Sequence, residues 1–138
     1  MRTLLNIIWL VLSGFWLALL YVLVGIVACL LIITIPFGIA SFRMAAFALW
    51  PFNKAVIETS TPATAGPVGC LNVIWFLIAG LWLAIGHLTT AAALAITIIG
   101  IPLALGNLQM IPVTCFPFGK TFVHRDRVPG GARVFYRM

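Results

Sequence analysis

Between Arg2 and Arg43, and again between Glu58 and Lys120, no side chain is charged at neutral pH, with His87 the sole candidate for a charge in either gap. A helix of about 18 predominantly apolar residues is enough to cross a bilayer core, and both gaps are longer. Hydrophobic residues make up 64% and charged residues 7% of the chain, against roughly 45–50% and 25% in ordinary soluble domains. So few polar groups could not cover the apolar surface of a soluble fold. The chain reads as an all-α integral membrane protein.

The opening "MRTLLNIIWLVLSGFWLALL" has the look of a secretory signal, and "IVAC", ending at Cys29, that of a lipoprotein cleavage box. Two observations argue that this segment is retained. Its apolar run continues through "LLIITIPF", well past the roughly 7–15 residues of a signal core, and its pattern recurs inside the chain. Cys29, Cys70 and Cys115 lack CxxC spacing and neighbouring histidines, so they are read as small fillers. No disulfide, metal or other cofactor is expected.

The recurrence is a tandem repeat. Residues 5–54 align without a gap to residues 71–120, pairing Asn6 with Asn72, Trp9 with Trp75, Trp16 with Trp82, Pro36 with Pro102, Pro51 with Pro117 and Lys54 with Lys120. Apolar bias cannot match Asn, Trp, Pro and Lys in this way. Domain boundaries follow: a first membrane repeat at 1–54, a polar linker at 55–70, a second repeat at 71–120 and a basic tail at 121–138.

Small residues recur within each copy. Gly14, Ala18 and Gly25, and their counterparts Gly80, Ala84 and Ala91, share one helical face, as expected of a seam where helix backbones approach closely in lipid. This predicts unbroken helices over 14–34 and 80–99. Ahead of each lies a Trp-bearing piece. Trp9 and Trp16, seven apart, are expected on one face as interface anchors, as are Trp75 and Trp82. Asn6 and Asn72 are candidate helix caps. Each piece either extends its span or folds back at Gly14 or Gly80 as a short re-entrant hairpin. Pro36 and Pro102 then break the spans, and "GIASFRMAAFALW" suits a helix lying at the interface with Arg43 pointing outward. In the second copy Gln109 replaces Arg43 and Pro112 replaces Ala46, predicting a shorter or broken helix. Pro51, Lys54, Pro117 and Lys120 close the two copies.

Five of the eight Lys and Arg residues lie from Lys120 onward, which makes the tail cytoplasmic by the positive-inside bias. Two topologies fit. If each repeat is a hairpin, the linker and tail share a side and the repeats run parallel; if each crosses once, the linker lies outside and the repeats are inverted. The basic tail also suits contact with anionic headgroups. It is too sparsely charged for nucleic acid.

The doubled Asn-x-x-Trp, Gly-x-Trp-Leu, Ile-Pro and Pro-Phe-x-Lys pattern, with "NVIWFLIAGLWLAIGH" and "ITIIGIP" its most specific parts, resembles the YccF family of bacterial inner-membrane proteins. The resemblance covers about residues 1–123 and implies a small inner-membrane component with a tandem domain. It implies no activity. The second copy departs from the pattern at Ala104 and Gln109.

Catalytic chemistry is not encoded. Glu58 and Asp126 are the only carboxylates and do not form a pair. "FPFGKT" ends like a phosphate loop but has Thr114 where the first glycine belongs. His87, aligned with Tyr21, is the one ionisable group within a predicted span, and with Thr89 and Thr90 it marks a possible polar pathway. The alternative is a neutral, hydrogen-bonded histidine. The expected function is therefore that of a structural or partner-binding membrane component working as a homo-oligomer, with a channel or transporter whose pore forms between subunits as the alternative. A pore requires the polar groups to line a wet axis, whereas a structural component requires them to pair in dry contacts.

Overall fold

The computed structural model describes residues 2–137. Helix α1 runs over Arg2–Leu30 and α2 over Ile35–Leu49, joined by a 3₁₀ turn at Ile32–Thr34. Strand β1 follows at Lys54–Glu58. The second repeat gives α3 (Ala65–Ala95) and α4 (Gly100–Cys115). Strands β2 (Lys120–His124) and β3 (Val134–Arg137) complete the described chain. The protein is mostly helical, and three helical stretches, Arg2–Leu30, Ile32–Leu49 and Ala65–Ala95, are long and apolar enough to cross a membrane.

Each repeat is a helical hairpin, but its turn lies at the proline break and not at Gly14 or Gly80. The chain passes both glycines without reversing. It takes up a π-helical turn at Leu10–Gly14 and again at Phe76–Gly80. The segment expected to lie along the interface is the hairpin's second arm: α2 returns along α1, with Ser41 Oγ donating to the Tyr21 carbonyl and Gly38 seated against Cys29 and the Gly25 carbonyl. Pro36 opens α2 within its first turn, where a missing N–H costs little. Pro112 does not break the second copy: α4 has 16 residues against 15 in α2.

The π turns explain a failed expectation. Trp9 and Trp75 are 0% and 1% exposed, while Trp16 and Trp82 are 61% and 69% exposed. An i→i+5 turn holds one residue more than an α turn. Residues seven apart across it therefore do not share a face.

The sheet is an addition that periodicity did not reveal. Its order is β2-β1-β3, with β1 antiparallel to both neighbours. The stretch read as a linker thus holds most of β1 and the first turns of α3, and the tail holds two strands. Because β1 and β2 exchange backbone hydrogen bonds, the linker and tail cannot lie on opposite sides of a bilayer, which removes the topology with one crossing per repeat.

The repeats are related by a pseudo-twofold axis. Val56 pairs with its counterpart Phe122 in the β1–β2 ladder, and Tyr21 contacts its counterpart His87. The axis therefore passes through both contacts and stands perpendicular to the sheet, as the dyad of an antiparallel ladder must. Across it the C-terminal half of α1 (Leu23, Val27, Ala28) shares a groove with the N-terminal half of α3 (Trp75, Ile78, Trp82). The long helices consequently run antiparallel, not parallel as the hairpin reading supposed. Trp9, Leu17, Met44, Phe47, Trp75 and Leu103 fill the core between the repeats.

Candidate functional site

Two constructions in this frame use the polar residues of the sequence. The first occurs once in each repeat. Asn6 donates from Nδ2 to the Phe52 carbonyl and accepts from the Phe52 N–H, at 2.8 and 3.0 Å. Asn72 does the same to Phe118 at 3.1 and 2.9 Å. One turn on, Trp9 Nε1 donates to the Ala48 carbonyl at 2.7 Å, and Trp75 Nε1 to the Thr114 carbonyl at 2.8 Å. Asn6 and Asn72 thus lie inside their helices and cap neither. They tie the start of each long helix to the Pro-Phe exit of its hairpin, satisfying backbone groups that lipid could not.

The seam glycines serve the clamp. A Cβ on Gly14 would lie 2.7 Å from Trp9 Nε1 and 2.8 Å from the Ala48 carbonyl oxygen, and one on Gly80 would lie 3.2 Å from Trp75 Nε1. Gly25 admits the ring of Phe42. Ala18 and Ala91 are buried in the core and Ala84 is half-buried. After the exit, Asn53 and its counterpart Gly119 both turn through positive φ, 89° and 77°. Lys54 and Lys120 then fold back onto helix-end carbonyls, those of Ala46 and Phe116. Arg43, exposed, donates to the Lys120 carbonyl and to Thr121 Oγ1.

The second construction occurs once, on the axis. His87 Nε2 lies 2.8 Å from Tyr21 Oη, and His87 Nδ1 lies 2.9 Å from Asn107 Oδ1. Tyr21 Oη also bonds Thr114 Oγ1, and Asn107 Nδ2 donates to Ser13 Oγ at 3.1 Å. All five side chains are buried. Asn107 Nδ2 also faces the Leu103 carbonyl, which only accepts, and this orients the amide. Asn107 Oδ1 therefore accepts from His87 Nδ1–H, leaving Nε2 to accept from the Tyr21 hydroxyl. The chain of donors joins α1 to α3 and α4 with the imidazole neutral.

The sequence had singled out His87 but not Ser13, Asn107 or Thr114. A signal existed: Asn107 and Thr114 are seven apart in a helix apolar but for Gln109, hence on one face, and Tyr21 aligned with His87 is the contact expected of equivalent residues at a twofold axis. Thr89 and Thr90, read with His87 as a pathway, do not join it. Each donates to its own helix, to the carbonyls of Ile85 and Gly86. Among the described residues no group of three or more His, Cys, Asp or Glu side chains is placed to hold a metal.

Residues 4–54 and 70–120 each match the YccF family model, described as an inner membrane component domain. Each match contains one hairpin with its complete Asn and Trp clamp. The chain belongs to the YccF family. It is similar to Inner membrane protein YccF of Escherichia coli (strain K12) and of Shigella flexneri, at 34% identity over 132 residues, covering 89% of this chain and 88% of each relative. No solved structure matches it significantly. The chain is thus an inner-membrane component of the YccF family, carrying two copies of its domain. The family description gives a location and no reaction.

Proposed function

We propose that this YccF-family chain is a structural or partner-binding component of the inner membrane. It acts as a homo-oligomer and presents its sheet and basic tail to the cytoplasm. The observation that carries this reading is the destination of the polar groups. Asn6 and Asn72 bind their own hairpins, His87 is closed on both ring nitrogens, and Thr89 and Thr90 bond their own helix carbonyls. A conducting path needs groups left for water or ions, and these already have protein partners, with the His87 contacts fully buried. Large apolar side chains, Trp16 and Trp82 among them, remain exposed for lipid or for another copy. The five basic residues from Lys120 onward favour the cytoplasmic face and anionic headgroups.

Purified protein in liposomes tests the reading against a pore between subunits. Ion flux no greater than in empty vesicles, with a detergent-corrected mass of two or more chains, is the expected result. Flux abolished by His87→Ala would establish the pore instead, and a monomeric mass would remove the oligomer. Sidedness is read at Cys70, exposed near the start of α3, in a Cys29→Ser, Cys115→Ser background. An impermeant maleimide should label it only after cell lysis; labelling of intact cells would place the sheet outside.

A further inference from the structure

We propose that this protein meets water on one side of the bilayer only, with the tips of both hairpins ending in lipid acyl chains and not emerging as loops on the far side. The distribution of charge is the first support. The chain has eight basic and two acidic residues, and all ten gather at the sheet. Lys54, Glu58, Lys120 and Arg137 lie in its strands. Arg2 bonds Asn53 at the entrance to β1, and Arg43 bonds Lys120 and Thr121 of β2. The other four, Arg125, Asp126, Arg127 and Arg133, connect β2 to β3, with the Arg133 carbonyl accepting from the Glu58 N–H.

The hairpin tips are the opposite in kind. Leu30, Leu31, Ile32 and Ile33 form one, and Ile96, Ile98 and Ile99 dominate the other; Ile33 is 92% and Ile98 87% exposed. The hydroxyls of both tips are turned inward: Thr34 donates to the Ala28 carbonyl and Thr97 to the Leu94 carbonyl. An aqueous loop of this composition would leave branched aliphatic side chains in water, an unfavourable exposure proportional to their apolar area. Hydrocarbon removes that cost. The reversal suits it further in that the turn hydroxyls and the N–H groups of Thr34, Thr97 and Gly100 are closed internally.

The relation between the repeats is the third support. Just beyond the first tip, Phe37 stacks on Trp75 at 6.1 Å and meets Phe118 edge-on at 5.4 Å. These are the clamp residues at the sheet-bearing end of the other repeat. The first tip therefore lies beside that end, not across the molecule from the sheet. With the dyad perpendicular to the sheet and the long helices antiparallel, a sheet resting on the membrane surface cannot coexist with α1 and α3 standing along the membrane normal. Their length permits crossing; their pairing with the sheet does not present either tip to the far side.

The test places an environment-sensitive nitrobenzoxadiazole probe at Ile33→Cys and, separately, Ile98→Cys. The background is Cys29→Ser, Cys70→Ser, Cys115→Ser in phosphatidylglycerol-containing proteoliposomes. Both sites are exposed in the protomer, so neither substitution disturbs the core. The expected result is loss of most of the emission with spin-labelled acyl chains and none with aqueous iodide added outside or trapped inside. Quenching by iodide from either compartment would overturn the proposal. Quenching by neither agent would also overturn it, since the tip would then be covered by protein. Polarised infrared spectra of oriented bilayers give a second readout, and helix axes aligned with the membrane normal would contradict the arrangement.

Discussion

Tyr21 Oη lies 2.8 Å from His87 Nε2, and the two residues occupy the same position in successive repeats, 66 residues apart. A side chain on a twofold axis meets its own counterpart. Here one donor meets one acceptor, the Tyr21 hydroxyl and the Nε2 of the neutral His87.

Tyr21→Phe should leave His87 Nε2 and Thr114 Oγ1 with one partner fewer in a buried site, destabilising the fold by about 1–3 kcal/mol. Combined with His87→Phe, the loss should be less than the sum of the single losses, with a coupling of about 0.5–3 kcal/mol. Denaturant titration in detergent micelles would measure it, and strict additivity would show that the contact contributes nothing.

Asn6→Ala and Asn72→Ala each remove a two-bond clamp and leave the half-buried backbone carbonyl and N–H of Phe52 or Phe118 without their side-chain partner. Each should cost about 2–4 kcal/mol, on the basis of roughly 1–2 kcal/mol for every unsatisfied group. The costs should be similar in the two repeats and additive, because the clamps share no partner. Thermal unfolding of the two single variants and the double variant decides it.

Gly14→Ala forces a methyl group to within 2.8 Å of the Ala48 carbonyl oxygen. Overpacking of this kind typically costs about 1–3 kcal/mol. Gly80→Ala, whose nearest contact is 3.1 Å, should be milder, and Gly66→Ala, which meets nothing within 4 Å, should be neutral or slightly stabilising. A flat series in the unfolding midpoints would rule out the close approach.

Lys54 and Lys120 are half-buried, and desolvation lowers both pKa values from the ordinary 10.5; Glu58 acts in the opposite sense on Lys120. Between the lowered folded value and 10.5 the unfolded chain holds more protons than the folded one, so stability should rise with pH in that window and be flat below it. Unfolding midpoints measured from pH 7 to 10.5 should show this rise, and Lys54→Met with Lys120→Met should flatten it.

Much of the site was legible in part. The matched Asn, Trp and Pro-Phe-Lys positions marked the ends of something built twice, and their spacing repeats because the clamp does. Their partners were not legible, because those partners are backbone carbonyls and N–H groups, which carry no residue identity. Trp16 was misplaced with Trp9 because a π turn leaves no mark in an apolar sequence, where every register presents an acceptable face. Strand β1 was missed because "KAVIE" adjoins a Thr- and Pro-rich stretch and is too short for alternation to declare itself.

By itself the sequence determined the solvent, the repeat and the break between the two arms of each repeat. Each follows from local chemistry: uncharged length against hydrocarbon thickness, identical polar residues at a constant offset, and proline's missing donor. Only the tertiary structure decided which way the repeats face, that the linker and tail join in one sheet, and that His87 is closed within a chain of hydrogen bonds. Those outcomes depend on partners 20 to 94 residues away in the chain. In an apolar helix nearly every face can pack, so the choice among faces falls to a few buried polar groups, whose directional bonds are satisfied in one arrangement of the whole.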